Sequence, residues 1–403
     1  MRTDKLNDQV QAAWDHVFNH MYHEETGIVF DYRTSTDPDG AFSHLPTPKE
    51  IQAQVPNPCG WDTGMENGAI FVGLLLDAIA NRYKGTKDET LHDYAVKILK
   101  GLRLLTSVSG VRGFLARAVH PDGKSFYFES SRDQYTFAVY GMWSYLNCPL
   151  CTNDEREFLI DTLVSFAEYA EKCVTPENDY HLLRADGGRT MVCKMLYSAP
   201  HEWTRLPMIY LVAYKASGNS HWLEKYKEIR ALCINGSFEM KEKCGAMDQM
   251  QASLAVLYEL EDESYYRSQY ETLARRCAEW VECEKANSLS FLEKSKKEKR
   301  TFDDVTPLWR KQEMTYLHFW GAPISGYGYY KPFFKTRSGK TAPKLTTISQ
   351  YALIEELCPN RHVSEEHARA LEGLFALINF DKHCSESPIH MLQAYWLIQA
   401  NRP

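Results

Sequence analysis

Two kinds of helical segment alternate along this chain, and the alternation limits the folds that it can adopt. Six segments carry one apolar stripe at helical spacing and charged residues on the opposite face. These stripes lie in residues 10–21, 91–105, 158–169, 222–229, 266–280 and 370–378. The six segments between and after them are apolar nearly all round, and they begin at Ala69, Thr136, Leu206, Gln251, Thr346 and Pro388. A helix that is apolar on every side has to be buried on every side.

This alternation predicts an all-α fold, an (α/α)6 toroid of about twelve helices in which six outer helices surround six inner ones. Most loops that lead into the inner helices are long, at about 23–60, 107–131, 176–200 and 287–342, while those at 235–245 and 381–386 are short. In an antiparallel ring these loops share one face, and long loops are commonly functional. No linker or change of composition divides the chain, so we predict a single domain over residues 1–403.

Composition and charge exclude several classes of function. The net charge of −7 argues against a nucleic-acid surface, and the basic run at 294–300 has no interleaved aromatic residue, so we expect a solvated loop there. The apolar segments are too short to span a membrane.

The 11 cysteines include Cys148 and Cys151 but no second pair at zinc-ligand spacing, so we expect reduced thiols and no metal site. Without an apolar N-terminal leader, a cytoplasmic location is expected.

Four acidic residues stand where inner helices are predicted to begin: Asp62, Asp133, Glu202 and Asp248. Cleavage of a glycosidic bond needs one protonated carboxyl group at the leaving oxygen and a second carboxylate as base or nucleophile. Burial near other carboxylates would keep one of them protonated. Acids at helix N-termini also cap backbone amides, so a structural role stays open for each of the four.

Further residues of the same loops are candidates for substrate binding. Proposed as apolar walls, hydroxyl contacts or charged partners are Trp61, Glu66, Arg132, Gln134, Tyr135, His201, Trp203, Arg205, Gln249, His318, Trp320, Tyr327 and His390. Arg132 or Arg205 could pair with a carboxylate on the substrate. Residues 316–334 are rich in aromatic residues, Gly and Pro, which predicts a loop over the mouth of the site.

The helix alternation, together with the motifs GWDTGMENG and SSRDQYTF at the starts of two buried helices, resembles the six-hairpin (α/α)6-toroid carbohydrate-active enzymes. The resemblance covers essentially the whole length. It implies a glycoside hydrolase similar to the unsaturated uronyl hydrolases, acting without a cofactor on a short oligosaccharide, including one that carries a uronic acid. Asp133 matches by placement the general acid of that family, with Asp62 or Glu202 as the partner carboxylate.

Two other reactions occur on the same kind of toroid. Sugar 2-epimerases would use His201 and His390 as an acid/base pair. Polysaccharide lyases would use His201, Tyr135 and Arg205 to remove a proton and neutralise a uronate. A non-catalytic toroid that only binds sugar is a further alternative. The sugar, its linkage and the oligomeric state stay open at this stage.

Overall fold

Helices form most of the structure, a computed structural model that describes residues 2–241, 246–298, 314–319, 322–330 and 342–402. The fourteen α-helices of these ranges are, in chain order, α1 (Arg2–His16), α2 (Pro48–Gln52), α3 (Gly68–Thr86), α4 (Leu91–Ser107), α5 (Arg132–Leu146), α6 (Asn153–Cys173), α7 (Arg205–Ser217), α8 (Ser220–Phe238), α9 (Met247–Leu260), α10 (Ser264–Glu282), α11 (Lys285–Lys297), α12 (Ala342–Glu356), α13 (Glu365–Phe375) and α14 (Ser387–Asn401).

Short antiparallel hairpins interrupt the connecting segments. The described strands are β1 (Tyr22–His23), β2 (Ile28–Val29), β3 (His181–Leu183), β4 (Arg189–Lys194), β5 (Met314–Phe319) and β6 (Ala322–Tyr330). They pair as β1–β2, β3–β4 and β5–β6, and each pair is a separate two-stranded sheet. Sheets of this size add no layer to the fold, and they shape the loops between helices.

Two concentric rings of helices are formed. The inner helices contact one another in a closed order, α3, α5, α7, α9, α12, α14 and back to α3, and the outer helices α1, α4, α6, α8, α10 and α13 pack around them. Burial follows the two sequence patterns: α3 is buried on nearly every side, whereas α4 buries one stripe that includes Ile98 and Leu102. The prediction of an all-α toroid of six inner and six outer helices is therefore confirmed.

Local signals explain where several of these helices begin and end. Thr152 and Glu155 form a capping box at the start of α6, in which each side chain accepts the other residue's backbone N–H group. Gly218 ends α7 in the left-handed conformation, which glycine adopts without steric strain. These boundaries fix the short turns between inner and outer helices.

Glycines bring α3 and α5 unusually close together. A Cβ atom added at Gly73 would lie 1.9 Å from the carbonyl oxygen of Phe137, and one added at Gly141 would lie 2.0 Å from that of Gly73. Since no side chain fits there, the two backbones pack directly against each other. This contact fixes the start of α5 beside the start of α3.

All described inner helices run in the same direction, so the residues around their N-termini meet at one end of the ring, here called the site end. The Gln134 side chain, at the start of α5, accepts the backbone N–H of Ile70 at 3.2 Å and donates to the carbonyl of Glu66 at 3.0 Å. Arg205, the first residue of α7, contacts Asp133 of α5. These contacts join neighbouring helix starts.

The opposite end of the ring, here called the far end, is joined in the same way. Lys84 Nζ donates to Asn401 Oδ1 at 3.1 Å, which links the last turns of α3 and α14. Asn401 Nδ2 in turn donates to Glu356 Oε1 of α12 at 2.9 Å. Helix C-termini therefore meet here as the N-termini meet at the site end.

Four loop predictions differ from the structure. The predicted loop 287–342 contains most of α11 and the β5–β6 hairpin, and the loop 235–245 begins late because α8 continues to Phe238. Residues 294–297 of the basic run form the last turn of α11. Positively charged lysines stabilise a helix at this position because the C-terminal end of the helix dipole is negative. Residues 316–319 and 322–330, predicted as a loop over the site, are strands.

The helices and cysteines of the described residues bear on two further features, membrane insertion and disulfide bonding. None of the helices in these ranges is long and apolar enough to cross a bilayer. The ten cysteines that the structure describes are free, and nine of them are buried.

Candidate active site

The site end collects polar side chains from the starts of five inner helices. They are Glu66 just before α3, Asp133 of α5, Arg205 of α7, Asp248 of α9 and His390 of α14. Asp133 and Asp248 are two of the four acids named from the sequence. A third, Glu202, lies in the turn before α7 and contacts Arg205 of this group.

Glu202 is the centre of an ion-pair cluster. Arg132 donates to its two oxygens at 2.7 and 3.2 Å, Arg205 lies 2.8 Å from Oε2, and His201 Nε2 lies 2.9 Å from Oε1. Burial would raise the pKa of Glu202, but Arg205, the His201 hydrogen bond and Arg132 overcome it and lower the pKa to about 2. Glu202 is therefore a permanently charged anchor and a poor proton donor at neutral pH.

Asp133 lies between this cluster and the open side of the ring. Its Oδ1 accepts from Arg205 Nη1 at 2.5 Å, and 40% of its side chain is exposed although that of Arg205 is fully buried. A guanidinium on one side and solvent on the other leave one face of the carboxylate accessible to a ligand.

Asp248 is the buried acid of the group, at 2% exposure. Its Oδ2 accepts from Gln350 Nε2 of α12 at 2.9 Å. Burial raises its pKa to about 6, and the nearby charge of Asp133 adds to this, while the backbone N–H of Gln249 opposes it. Gln249 itself is half-buried beside Asp248. Asp248 is thus shielded from solvent where Asp133 is open.

Glu66 is a second partly open carboxylate, with 29% of its side chain exposed. It accepts the backbone N–H of Asp62 at 3.3 Å and lies 3.7 Å from Arg117. Burial raises the pKa of Glu66, and the charges of Glu386 and Asp133 add to it against the opposing effects of Arg117 and the Asp62 N–H. A carboxyl group in this setting keeps its proton to higher pH than an ordinary glutamate.

Asp31 holds the segment that carries Glu66. Its carboxylate accepts the backbone N–H groups of Glu66 at 2.6 Å and Asn67 at 2.8 Å, just before α3. An acid that accepts amides at a helix N-terminus is a cap, the role that remained open for the four predicted acids. In the structure, Asp31 has this role for α3.

Asp62 and Trp61 lie half-buried in the turn before α3. Asp62 has a left-handed backbone with φ of +64°, and its carbonyl accepts the hydroxyl of Tyr32 at 2.6 Å. The backbone N–H of Trp61 donates to Asn57 at 3.0 Å. This hydrogen-bonded turn leads directly to Glu66, whose carboxylate accepts the backbone N–H of Asp62.

His390 is half-buried in the first turns of α14. Burial lowers its pKa to about 4, so the imidazole is neutral at pH 7. A neutral imidazole can accept a proton or a hydrogen bond from a sugar hydroxyl. His201 differs, because its ring is held by Glu202.

Two side chains predicted to contact substrate, those of Tyr135 and Gln134, are buried in the structure. Tyr135 is 1% exposed, and its hydroxyl donates to the carbonyl of Gly113 and accepts the backbone N–H of Leu115. Gln134 is fully buried and uses its amide to join α3 to α5. Arg132 and Arg205, the predicted partners of a substrate carboxylate, both contact Glu202, and Arg205 also contacts Asp133.

The remaining predicted residues lie at the rim or outside the described residues. Trp203 is half-buried, packs over Gly236 of α8 and donates from Nε1 to the carbonyl of Ser198 at 3.0 Å. The side chains of His318 and Tyr327, on β5 and β6, and all of Trp320 lie outside the described residues.

Sequence reasoning missed Asp31, Arg117 and Glu386, which all surround Glu66. Arg117 could have been found, because it is a lone charge within the apolar run of residues 114–119 and such a charge requires a buried partner. Asp31 and Glu386 carry no comparable signal. Within the described residues, no group of three or more His, Cys, Asp or Glu side chains is arranged to hold a metal ion.

No known family model and no curated protein matches this sequence. Among solved structures, the chain is similar to a glycoside hydrolase family 76 mannosidase from Bacteroides thetaiotaomicron VPI-5482, with 12% identity over 68% of this chain and 72% of that one and a TM-score of 0.45. A sugar epimerase from a ruminal bacterium gives 12% identity, 68% and 71% coverage and 0.44. A D-mannose isomerase gives 11% identity, 98% and 97% coverage and 0.45. These likenesses concern the fold alone.

The closed double ring of described helices is the (α/α)6-toroid fold that the sequence predicted.

Proposed function

We propose that this protein is a glycoside hydrolase that cleaves a short oligosaccharide at the site end of the ring. The observation that carries the proposal is the pair Glu66 and Asp133. Both are partly exposed carboxyl groups at the starts of neighbouring inner helices, and their charges interact. Two carboxyl groups across one sugar ring are what glycosidic cleavage requires.

The environments of the two groups suggest their roles. Glu66 has a raised pKa and would donate its proton to the glycosidic oxygen as the bond breaks. Asp133 contacts the Arg205 guanidinium and would act as the carboxylate, by taking a proton from water or by attacking the anomeric carbon. The proton donor thus moves from Asp133, favoured by the sequence, to Glu66. Asp62, Glu202 and Asp248 would position these two groups.

Charge favours a neutral substrate over a uronate. Arg132 and Arg205 are both paired with Glu202, and Arg117 lies beside Glu66, so each nearby guanidinium already faces a carboxylate of the protein. A substrate carboxylate would have to displace one of these pairs and leave a buried charge unpaired. We therefore propose neutral hexose or pentose oligosaccharides as the substrates.

A sugar 2-epimerase is the second candidate, and the neutral His390 favours it. An imidazole with a pKa of about 4 in the ring could serve as a base that removes a proton beside a carbonyl group. Its partner would be His201, but that ring contacts Glu202. A pair of open carboxyl groups has no role in this reaction, which is why we favour the hydrolase.

Product analysis of the purified chain separates these reactions. The panel holds neutral gluco-, xylo- and manno-oligosaccharides of two to six residues, including α-1,6-linked ones, an unsaturated uronyl disaccharide and free hexoses. Hydrolysis predicts new reducing ends from a neutral oligosaccharide and no change in free hexoses. Epimer formation that is abolished in His390→Gln would contradict the proposal, and so would double-bond formation or preferential cleavage of the uronyl disaccharide.

A further inference from the structure

An exposed tyrosine stands on the rim of the site end, in the loop that leads into α7. Tyr197 is 49% exposed, between the buried Leu196 and the turn that carries Glu202. Tyr265 is the other highly exposed aromatic among the described residues, at 65%, and it lies at the start of the outer helix α10, where the far end begins. An exposed ring beside a site is worth explaining, whereas a single exposed ring elsewhere is ordinary.

Two other rings hold Tyr197 in place. Its ring centroid lies 4.6 Å from that of Tyr180 in a tilted arrangement and 5.3 Å from that of Trp203 in an edge-on arrangement. Contacts of this kind fix a ring without covering both of its faces. Tyr197 is therefore a rigid flat surface that still faces solvent.

Backbone strain supports a functional reason for this placement. Tyr197 has φ of +55° and Tyr180 has φ of +60°, a region that bulky side chains rarely adopt. Such conformations persist where the surrounding structure imposes them, and they concentrate at ligand sites. Asparagine or glycine would fit the same backbone with less strain.

Hydrogen bonds tie this loop to the carboxylate cluster. Arg132, which holds Glu202, also donates from Nη1 to the carbonyl of Lys194 at 3.3 Å, three residues before Tyr197. On the other side, Trp203 follows Glu202 directly and donates to Ser198. The rings of Tyr197 and Trp203 thus keep a fixed position relative to the ion-paired centre of the site.

We propose that Tyr197, supported by Tyr180 and Trp203, is a stacking platform for one sugar ring of the substrate. This ring is at least one sugar unit away from the glycosidic bond that is cleaved. The apolar C–H face of a pyranose would cover the exposed face of Tyr197. This inference rests on the proposed function and adds that the substrate is longer than a disaccharide.

Calorimetric titration tests the platform with variants that keep the backbone. Tyr197→Asn removes the ring and suits the left-handed conformation, Tyr197→Phe keeps the ring, and Tyr265→Asn is the matched control. All are made in the Glu66→Gln background, in which we expect cleavage to be at least about a hundredfold slower than in the wild type. The ligands are the disaccharide and the tetrasaccharide of each neutral series in the panel.

We expect Tyr197→Asn to weaken tetrasaccharide binding about five- to tenfold and to leave disaccharide binding unchanged. Tyr197→Phe and Tyr265→Asn should bind both ligands like the parent, and the melting temperature of Tyr197→Asn should not fall. Equal tetrasaccharide affinity in Tyr197→Asn and its parent would overturn the platform. If binding depends on Tyr197 but the wild type cleaves nothing, the platform stands and the hydrolase proposal fails. Cleavage with no dependence on Tyr197 has the opposite meaning.

Discussion

Glu66 at the site end and Asp77 further along α3 are both carboxyl groups with raised pKa values, but their surroundings differ. Asp77 is 1% exposed, and burial raises its pKa to about 6. Its oxygens accept from Ser144 at 2.8 Å, Asn81 at 2.9 Å and Gln393 at 3.1 Å. Glu66 keeps 29% of its side chain exposed and has one backbone donor and one distant arginine.

The difference shows that a raised pKa does not by itself mark a reactive group. Neutral donors from three helices occupy both oxygens of Asp77, so it joins α3, α5 and α14 and has no free face for a ligand. Glu66 has the same kind of pKa shift together with an open face. Availability of the carboxyl group, rather than its pKa alone, therefore separates a candidate catalytic residue from a structural one.

A cavity of about 460 Å³ at the far end leads to the same distinction. It lies between α12, α13 and α14, and Glu356 and Arg402 are among its lining residues. Glu356 accepts from the Val363 backbone and from Asn401, and Arg402 pairs with Glu372 at 3.1 Å. The cavity could hold a small ligand. Glu356 and Arg402 are already paired within the protein, however, so neither offers a free carboxyl group or guanidinium for catalysis.

The largest effect should come from removing the carboxylate of Asp133 at the site end, and the matched control removes the buried carboxyl group of Asp77. Asp133→Asn is expected to lower kcat/KM on the oligosaccharide by about 10² to 10⁴, as for loss of an acid/base or nucleophilic group. Asp77→Asn should change kcat/KM by less than about threefold, because Asp77 contacts no substrate. Steady-state kinetics on folded protein, verified by circular dichroism, measures both. Equal losses would remove the distinction between the open carboxylate of Asp133 and the buried carboxyl group of Asp77.

Next in size is the effect of Glu202 on stability. Glu202→Gln leaves Arg132 and the buried Arg205 with less compensation, and we expect a loss of about 3 kcal/mol in the free energy of unfolding at pH 7. Because the folded pKa of Glu202 is lowered to about 2 from 4.5, its stabilisation is complete above pH 4.5 and is lost as pH falls towards 2. Urea unfolding at pH 7 and pH 3 should show the difference shrinking. A constant difference would contradict the ion-pair account.

Asp248 should show the opposite pH dependence. Its folded pKa of about 6 lies above the ordinary value of 3.8, so ionisation of the buried group lowers stability as pH rises through this window. Asp248→Asn is therefore expected to raise the free energy of unfolding by about 1–3 kcal/mol at pH 8 and by almost nothing at pH 3.5. Thermal melts across this range provide the measurement. Destabilisation at pH 8 would mean that the charged form is well compensated.

The smallest effect concerns a residue that the structure assigns to the core. Tyr135→Phe removes the hydroxyl that bonds to Gly113 and Leu115, and we expect a loss of about 1 kcal/mol in stability with unchanged kcat/KM. Chemical denaturation and kinetics of the same preparation suffice. A large fall in kcat/KM at unchanged stability would return Tyr135 to the site.

The double ring could be predicted because the spacing of apolar residues along each helix indicates which of its faces are buried. The inner α3 is apolar all round and the outer α4 has one stripe, and each pattern has one favourable position in a two-layer toroid. Polar residues at predicted inner-helix starts, such as Asp133 and Asp248, are consequently near one another.

Side-chain direction and loop contacts could not be predicted in the same way. Successive residues turn by about 100° around a helix, so Asp133 faces the ring while Gln134 faces α3 and Tyr135 packs against Phe166 of α6. Asp31 reaches Glu66 from a loop 35 residues earlier in the chain, and no periodic pattern records such a contact. The helix α11 was missed because its polar sequence has no clear apolar stripe.

The reactivity of Glu66 is tested most directly by comparing two leaving groups in Glu66→Gln. A dinitrophenyl glycoside of the sugar that the wild type cleaves needs no proton on departure, whereas the natural oligosaccharide does. We predict that Glu66→Gln loses at least about a hundredfold in kcat/KM on the oligosaccharide and less than about tenfold on the aryl glycoside. Equal losses on the two substrates, or full activity on the oligosaccharide, would show that Glu66 is not the proton donor.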